Sequence, residues 1–192
     1  SALFQNLTSE NTAIGCSTLY NNTTGRYNTA MGKEALFSNQ TEDENTAIGY
    51  QALFNNEGRL NTAVGSKSLF TNSSGLFNTA VGAASLQDNN GSNNVAIGDG
   101  ALGHVINANN SVGVGAYTGL YSGTGNVFIG FEAGYNEKGD RKLYISDSLD
   151  KTLIYGDFST GQVLIGNANP VGYQFKGKRK LNVIGGILTD SI

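Results

Sequence analysis

The chain has 192 residues, a formal net charge of −3 and only 14% charged residues, so it shows no basic footprint for nucleic acid or for an anionic membrane. Hydrophobic residues make up 39%, no run of 18 apolar residues could span a bilayer as a helix, and a lone cysteine, Cys16, excludes an intramolecular disulfide framework. With 27 Gly, one Pro and abundant Asn, Thr and Ser, the composition would suit disorder were it not strictly periodic.

The period is carried by one pentapeptide. It occurs as Asn11-Thr-Ala-Ile-Gly15, Asn28-Thr-Ala-Met-Gly32, Asn45-Thr-Ala-Ile-Gly49, Asn61-Thr-Ala-Val-Gly65 and Asn78-Thr-Ala-Val-Gly82. Weaker copies follow at Asn94-Val-Ala-Ile-Gly98, Ser111-Val-Gly-Val-Gly115 and Asn126-Val-Phe-Ile-Gly130. The closing glycines recur every 15 to 17 residues, too few for a helical hairpin repeat but enough for one coil of a β-solenoid. Within a unit, Thr46-Ala47-Ile48 reads as a short strand in which Thr46 and Ile48 share a face and Ala47 looks the other way. Gly49 makes a corner. A second apolar position follows at Leu19, Leu36, Leu53, Leu69, Leu86 and Leu102, often with an aromatic next to it, and reads as a second short strand before an Asn- and Gly-rich turn.

Stacked coils would set strands about 4.8 Å apart in parallel register, so that eight coils span roughly 40 Å. The residues Ile14, Met31, Ile48, Val64, Val81, Ile97, Val114 and Ile129 then form one column and the leucines a second. The leading asparagines form a third, their amides bonding along the stack and capping turns. Because Thr and Ile share a strand face, at least one of those two columns is expected in the core. A second stripe, Tyr20, Phe37, Phe54 and Phe70 with Phe77, Tyr27 and Leu60 beside it, would stay exposed and is a candidate interface between copies of the chain.

The period breaks after residue 130. The charged turn Glu137–Lys142 precedes strands expected at Lys142–Ser146, Thr152–Tyr155, Gln162–Ile165 and Leu181–Ile187, separated by turns at Asp157–Gly161 and Asn167–Gly172. The reading is an all-β chain: a left-handed parallel β-roll over residues 1–135, then a separate β-rich cap or neck over 136–192, since an open last coil would expose unpaired strand edges. Ser1 opens no signal peptide, and the pattern starts and stops midway, as in a fragment of a longer protein.

The repeat Asn-Thr-Ala-Ile-Gly-x-x-Ala-Leu resembles the head repeats of trimeric autotransporter adhesins, and still more the tail-fibre repeat proteins of Bacteroidetes genomes and their phages. The stretches Lys142–Ser146, Leu153–Phe158 and Gln162–Gly166 resemble the segment that precedes a self-cleaving chaperone in such fibres. The coil is longer here than in the adhesin heads, and no chaperone or membrane anchor follows Ile192. The resemblance covers about residues 11 to 170. It implies a homotrimeric, extracellular fibre on a cell surface, virion or injection particle, binding a cell-surface glycan or protein receptor without nucleic acid or membrane insertion.

Little in the sequence suggests catalysis, and no cofactor is expected. The single histidine, His104, has no plausible nucleophile beside it, and Cys16 occupies a slot that elsewhere holds Lys33, Tyr50, Ser66, Ala83 or Asp99. Glu42-Asp43-Glu44 would serve glycoside hydrolysis, as in a glycan-cleaving tailspike, only if a carboxylate pair faced across a groove. The residues Asp99, Asp140, Asp147 and Asp157 could join Asn carbonyls around Ca²⁺. The stretch Gly113–Gly119 lacks the lysine of a phosphate loop, and the basic run Lys176–Lys180 suits a solvated loop or contact with an acidic glycan or phosphate. A column of Thr12, Thr29, Thr46, Thr62 and Thr79 raises an ice-binding alternative, weakened by the expected burial of its face. For a binding head the candidate ligand contacts are the turn residues Arg26, Tyr50, Glu57, Arg59 and Lys67. The alternative is a structural spacer whose ligand site lies elsewhere.

Overall fold

The computed structural model describes residues 1–149, 151–168 and 181–183, the strand residues 167–168 and 181–183 as backbone alone. The basic run Lys176–Lys180, the turn after Ala168 and the end of the fourth expected strand lie outside them.

The pentapeptides form three-residue strands: β1 (Thr12–Ile14), β2 (Thr29–Met31), β3 (Thr46–Ile48), β5 (Thr62–Val64), β7 (Thr79–Val81), β8 (Val95–Ile97), β9 (Val112–Val114) and β10 (Val127–Ile129). Two short strands lie between them, β4 (Asn55–Asn56) and β6 (Thr71–Asn72). Neighbouring coils pair in parallel with like opposite like, for example Thr29↔Thr46, Ala30↔Ala47 and Met31↔Ile48. The result is an all-β solenoid of about eight turns, with no helix among the described residues.

The facing of these strands corrects one expectation. The core takes neither Thr nor Ile: Ala30, Ala47, Ala63, Ala80 and Ala96 are fully buried, while Ile14, Met31, Ile48, Val81, Ile97, Val114 and Ile129 are 36–55% exposed. Both the threonine and the isoleucine columns point outward. Only a methyl group fits inward because the opposite layer already fills the narrow coil with Leu19, Leu36, Leu53, Leu69, Leu86 and Leu102, all fully buried.

That opposite layer is not the second strand the sequence suggests. In successive coils the pairs Ser17/Leu19, Glu34/Leu36, Gln51/Leu53, Lys67/Leu69 and Ala84/Leu86 all have φ between +46° and +59°. Two left-handed residues in three cannot form a pleated ribbon. Coil-to-coil bonds persist nonetheless, as in Leu36 N–H to Ala52 O at 3.0 Å and Ser38 N–H to Phe54 O at 2.9 Å. A leucine in this conformation costs about 1–2 kcal/mol, and burying its side chain returns about 1.5–3 kcal/mol. The packing wins.

Two asparagine columns hold the coils together. The leading asparagine accepts the next coil's backbone, as in Asn45 N–H to Asn28 Oδ1 at 2.9 Å and Asn78 N–H to Asn61 Oδ1 at 2.9 Å. Its Nδ2 donates to a turn carbonyl of the next coil, as from Asn45 to Gly58 O and from Asn61 to Gly75 O, both at 2.9 Å. The amide-to-amide ladder expected of these residues belongs mainly to the turn asparagines instead. There Asn39 Nδ2 donates to Asn22 Oδ1 at 3.0 Å, Asn56 to Asn39 at 2.9 Å and Asn72 to Asn56 at 2.8 Å.

The glycine corners have a steric origin. Gly49 sits at φ +136°, and a Cβ there would lie 2.5 Å from the carbonyl oxygen of Gly65 in the next coil. Toward the end of the stack the core changes composition. Phe128, fully buried, takes the inward strand slot, and the leucine slots beside it become Gly119 and Gly134, where any Cβ would strike its ring.

The 12-stranded sheet does not stop at residue 135. Strand β11 (Lys142–Ser146) pairs in parallel with β10, setting Ile145 beside Ile129 and Tyr144 beside Phe128. Strands β12 (Thr152–Asp157) and β13 (Gln162–Ala168) then run antiparallel, and β14 (Leu181–Val183) pairs in parallel with β13. Strands β11 to β14 thus extend the sheet begun by the coils. Lys142 Nζ bonds Asp157 Oδ2 at 2.7 Å, and the Tyr144 hydroxyl donates to Glu137 at 2.6 Å. Burial, then the Glu137 carboxylate, push the Tyr144 hydroxyl far above its ordinary titration range.

Candidate functional site

Three surfaces run along the stack. The first is the outer strand face. Its isoleucine and valine column continues past Ile129 through Ile145, Ile154 and Ile165, which are register partners in the sheet. Beside it run Thr29, Thr46, Thr62, Thr79, Val95, Val112 and Val127, all half-buried. From β1 to β10 the two outward columns contain no charged residue. Seven or eight side chains at this exposure leave roughly 500 Å² of apolar area, near the upper end of what a monomer's largest patch shows.

The second surface is the aromatic column. Phe4, Tyr20, Phe37, Phe54 and Phe70 stack face to face with centroids 5.0–5.3 Å apart and planes within 9° of parallel. Each ring covers the next, so Tyr20, Phe37, Phe54 and Phe70 are half-buried and present edges to solvent. Phe77 does not join them. It belongs to the slot before the leading asparagine, shared by Tyr27 and Leu60 and interrupted by Glu44, all at φ between +57° and +61°. The five candidate interface residues thus lie on two neighbouring columns, and the longest uninterrupted apolar column on the surface is the isoleucine and valine one.

The third surface is the turn edge, which collects part of the expected ligand set. Arg26 is exposed in one turn and Glu57 and Arg59 together in the turn two coils on, and the Arg26 N–H donates to Asp43 Oδ1 at 2.7 Å. Glu57 lines a groove of about 440 Å³ with Ser38, Gln40, Thr41, Glu42, Asn55, Asn56 and Ser73. Tyr50 and Lys67 lie at the glycine corner instead, where Lys33 Nζ sits 5.8 Å from the Tyr50 ring centre. Lys67 Nζ stands 5.8 Å from the Phe70 ring centre. The five residues do not converge on one site.

The groove is what residue-by-residue reading missed. Its signal is the coil length: Asn39 bonds the turn carbonyl three residues on and Asn72 does the same, whereas Asn56 bonds the carbonyl only two residues on. One residue fewer leaves a recess.

Groups with reactive side chains make local pairs. His104 Nδ1 lies 3.1 Å from Asp88 Oδ2 and its ring stacks on Tyr121 at 5.8 Å, all at the surface. Cys16 is exposed. The Tyr117 hydroxyl donates to Asp99 at 2.7 Å, a bond that raises the tyrosine above its usual titration range. Among the described residues no three His, Cys, Asp or Glu side chains gather as a metal site, Asp99, Asp140, Asp147 and Asp157 included. No helix there is long and apolar enough to cross a membrane. No protein-family model matches the chain, and no curated protein or solved structure is significantly similar to it.

Proposed function

We propose that the chain is part of an extracellular fibre that assembles as a homotrimer through its outer strand face and attaches to a cell-surface glycan or protein receptor. The observation that carries this reading is the uncharged column of Met31, Ile48, Val64, Val81, Ile97, Val114 and Ile129 on a sheet face that the described residues leave partly exposed. Copies packed in register against one axis match this column along its whole length, and a closed ring leaves none of it free. Burying both outward columns and their flanks approaches the roughly 800 Å² per partner of a stable interface. Three copies of any weak ligand contact then act together.

Sedimentation equilibrium tests the assembly. A trimer is expected, and the double change Ile48→Lys/Ile97→Lys should give a monomer with the same β spectrum; a native monomer at tens of micromolar overturns the reading. Cell-adhesion assays of a variant lacking one coil separate a binding head, which loses attachment, from a spacer, which keeps it.

A second reading is favoured by the same face. With threonine and isoleucine both outward, the side chains form an array of about 4.8 by 7 Å, a regular platform able to order water. Neither column is buried, so the face presents both. Ice binding requires this face to be free, so a stable trimer or the absence of thermal hysteresis removes it.

A further inference from the structure

We propose that the groove at the third turn binds a neutral, hydroxyl-rich carbohydrate; this deepens the attachment reading above and rests on it. The groove arises from a length difference. The turns Asn39-Gln-Thr-Glu42 and Asn72-Ser-Ser-Gly75 carry two residues between the asparagine and its carbonyl acceptor, but Asn56-Glu-Gly58 carries one. The short turn sits back between its neighbours, and the space of about 440 Å³ falls in the range of small-molecule sites. Another short turn, Asn89-Asn-Gly91, is bridged instead. There Asn90 accepts from Ser73 N–H and Ser73 Oγ at 2.8 Å, and its backbone carbonyl accepts from Ser74 Oγ at 3.0 Å.

The recess also rewires its wall. In the preceding turn the N–H groups of Thr23 and Thr24 donate to Gln40 O at 2.8 and 3.1 Å. Their counterparts, Gln40 N–H and Thr41 N–H, donate to Glu42 Oε2 at 3.2 and 3.1 Å, and Thr41 Oγ donates to Oε1 at 2.7 Å. Glu42 stands where Gly25, Gly58 and Gly75 stand in other turns. Its carboxylate takes the place of the carbonyl that the shortened turn no longer supplies.

What remains open in the lining is mixed. A carboxylate offers about four acceptor positions; Glu42 uses three, whereas the exposed Glu57 side chain makes no hydrogen bond among the described residues. Donors come from the amides of Gln40 and of Asn55, whose Oδ1 already accepts from Ser38 Oγ at 3.3 Å. A metal ion would use only the acceptors, and an anion only the donors against two carboxylates. A sugar hydroxyl both donates and accepts, so it uses both sets. The two carboxylates select against sulfated, sialylated or uronic-acid chains.

The test is a glycan array on the full chain, followed by titration of the best neutral hit at up to 10 mM with the native protein and two variants. Glu57→Ala should weaken binding about tenfold or more with an unchanged melting curve. Inserting one serine after Glu57, which fills the recess, should abolish it. Amide shifts on titration should centre on Gln40, Asn55 and Ser73. The proposal fails if both variants bind as the native protein does, if only acidic glycans bind, if Ca²⁺ alone shifts those amides, or if no glycan binds. In the first case attachment stands and its site lies elsewhere; attachment itself falls only if the native fibre also fails to adhere to cells.

Discussion

Replacing Asn61 tests the polar stacking of the coils most directly. Its side chain is 1% exposed; Oδ1 accepts the Asn78 N–H at 2.9 Å and Nδ2 donates to Gly75 O at 2.9 Å. In Asn61→Ala the Gly75 carbonyl keeps the Asn72 amide at 2.9 Å, but the buried Asn78 N–H loses its acceptor. An orphaned buried donor costs about 1–3 kcal/mol, and the vacated amide volume adds to it, giving about 2–4 kcal/mol in all. In Asn61→Asp the acceptor survives, but an ionised carboxylate would face the Gly75 carbonyl oxygen. Only the protonated acid can donate there. The folded state therefore holds that proton more tightly than the unfolded chain does, which raises the carboxyl's folded pKa.

The aspartate variant is most nearly native in stability below the unfolded carboxyl pKa of about 3.9. It loses about 1.4 kcal/mol per pH unit above that until the folded pKa is passed. The assay is urea unfolding followed by circular dichroism at several pH values and one fixed protein concentration. Exchange of the Asn78 amide serves as a local readout, and the exposed position Asn136→Asp is the control. A cost below about 0.5 kcal/mol for the alanine variant would refute the reasoning. So would an aspartate deficit that does not change with pH.

Gly49→Ala should cost more than about 3 kcal/mol, because φ +136° and the carbonyl 2.5 Å from the new Cβ act together; thermal melting reads it, and a loss under 1 kcal/mol would be contrary. Phe128→Ala should cost about 3–5 kcal/mol, since Gly119 and Gly134 offer no side chain to fill the void. Adding Gly134→Leu, at a position already at φ +63° like the other leucines, should recover part of that loss; no recovery would deny the volume exchange. At the end of the sheet, burial acts to raise the Asp157 carboxyl, but bonds from Lys142 and Ser159 outweigh it and hold the pKa below the ordinary value. A depressed carboxylate stabilises above its unfolded pKa and loses that contribution as pH falls through the folded one, so Asp157→Asn should flatten the acid limb of stability below about pH 4.

The repeat, the strands and the parallel register were legible in the pentapeptides, because register in a stack follows from identical residues meeting identical residues. Which face points inward was not. A period of two places Thr46 with Ile48 but does not say which side of the strand is inside, and hydrophobicity favours the wrong side. The better signal was volume: the middle residue stays Ala through six units while its neighbours range over Ile, Met and Val. The left-handed residues Glu34, Gln51 and Lys67 were hidden because such side chains rarely adopt positive φ. Residues Ala2-Leu3-Phe4-Gln5-Asn6 repeat Ala35-Leu36-Phe37-Ser38-Asn39 and extend the stack by a partial coil. Leu3 takes φ +53° and Phe4 joins the aromatic column.

The inversion of the strand also links fold and assembly. In an ordinary half-buried sheet the larger apolar residues go inward and association is optional. Here the inward slot admits alanine, and the branched residues that would stabilise a core stand outside it. A typical coil contributes one large side chain to its own interior, Leu53 for example, while Ile48 stays partly exposed among the described residues. Stability within one chain then leans on the asparagine columns, which fix the stacking order without needing depth. In the trimer proposed above, apolar burial, the larger source of free energy in most folds, would be completed by the partner chains. A chain built this way should keep its β spectrum on dilution into monomers but melt at a lower temperature, and should regain the higher one with concentration.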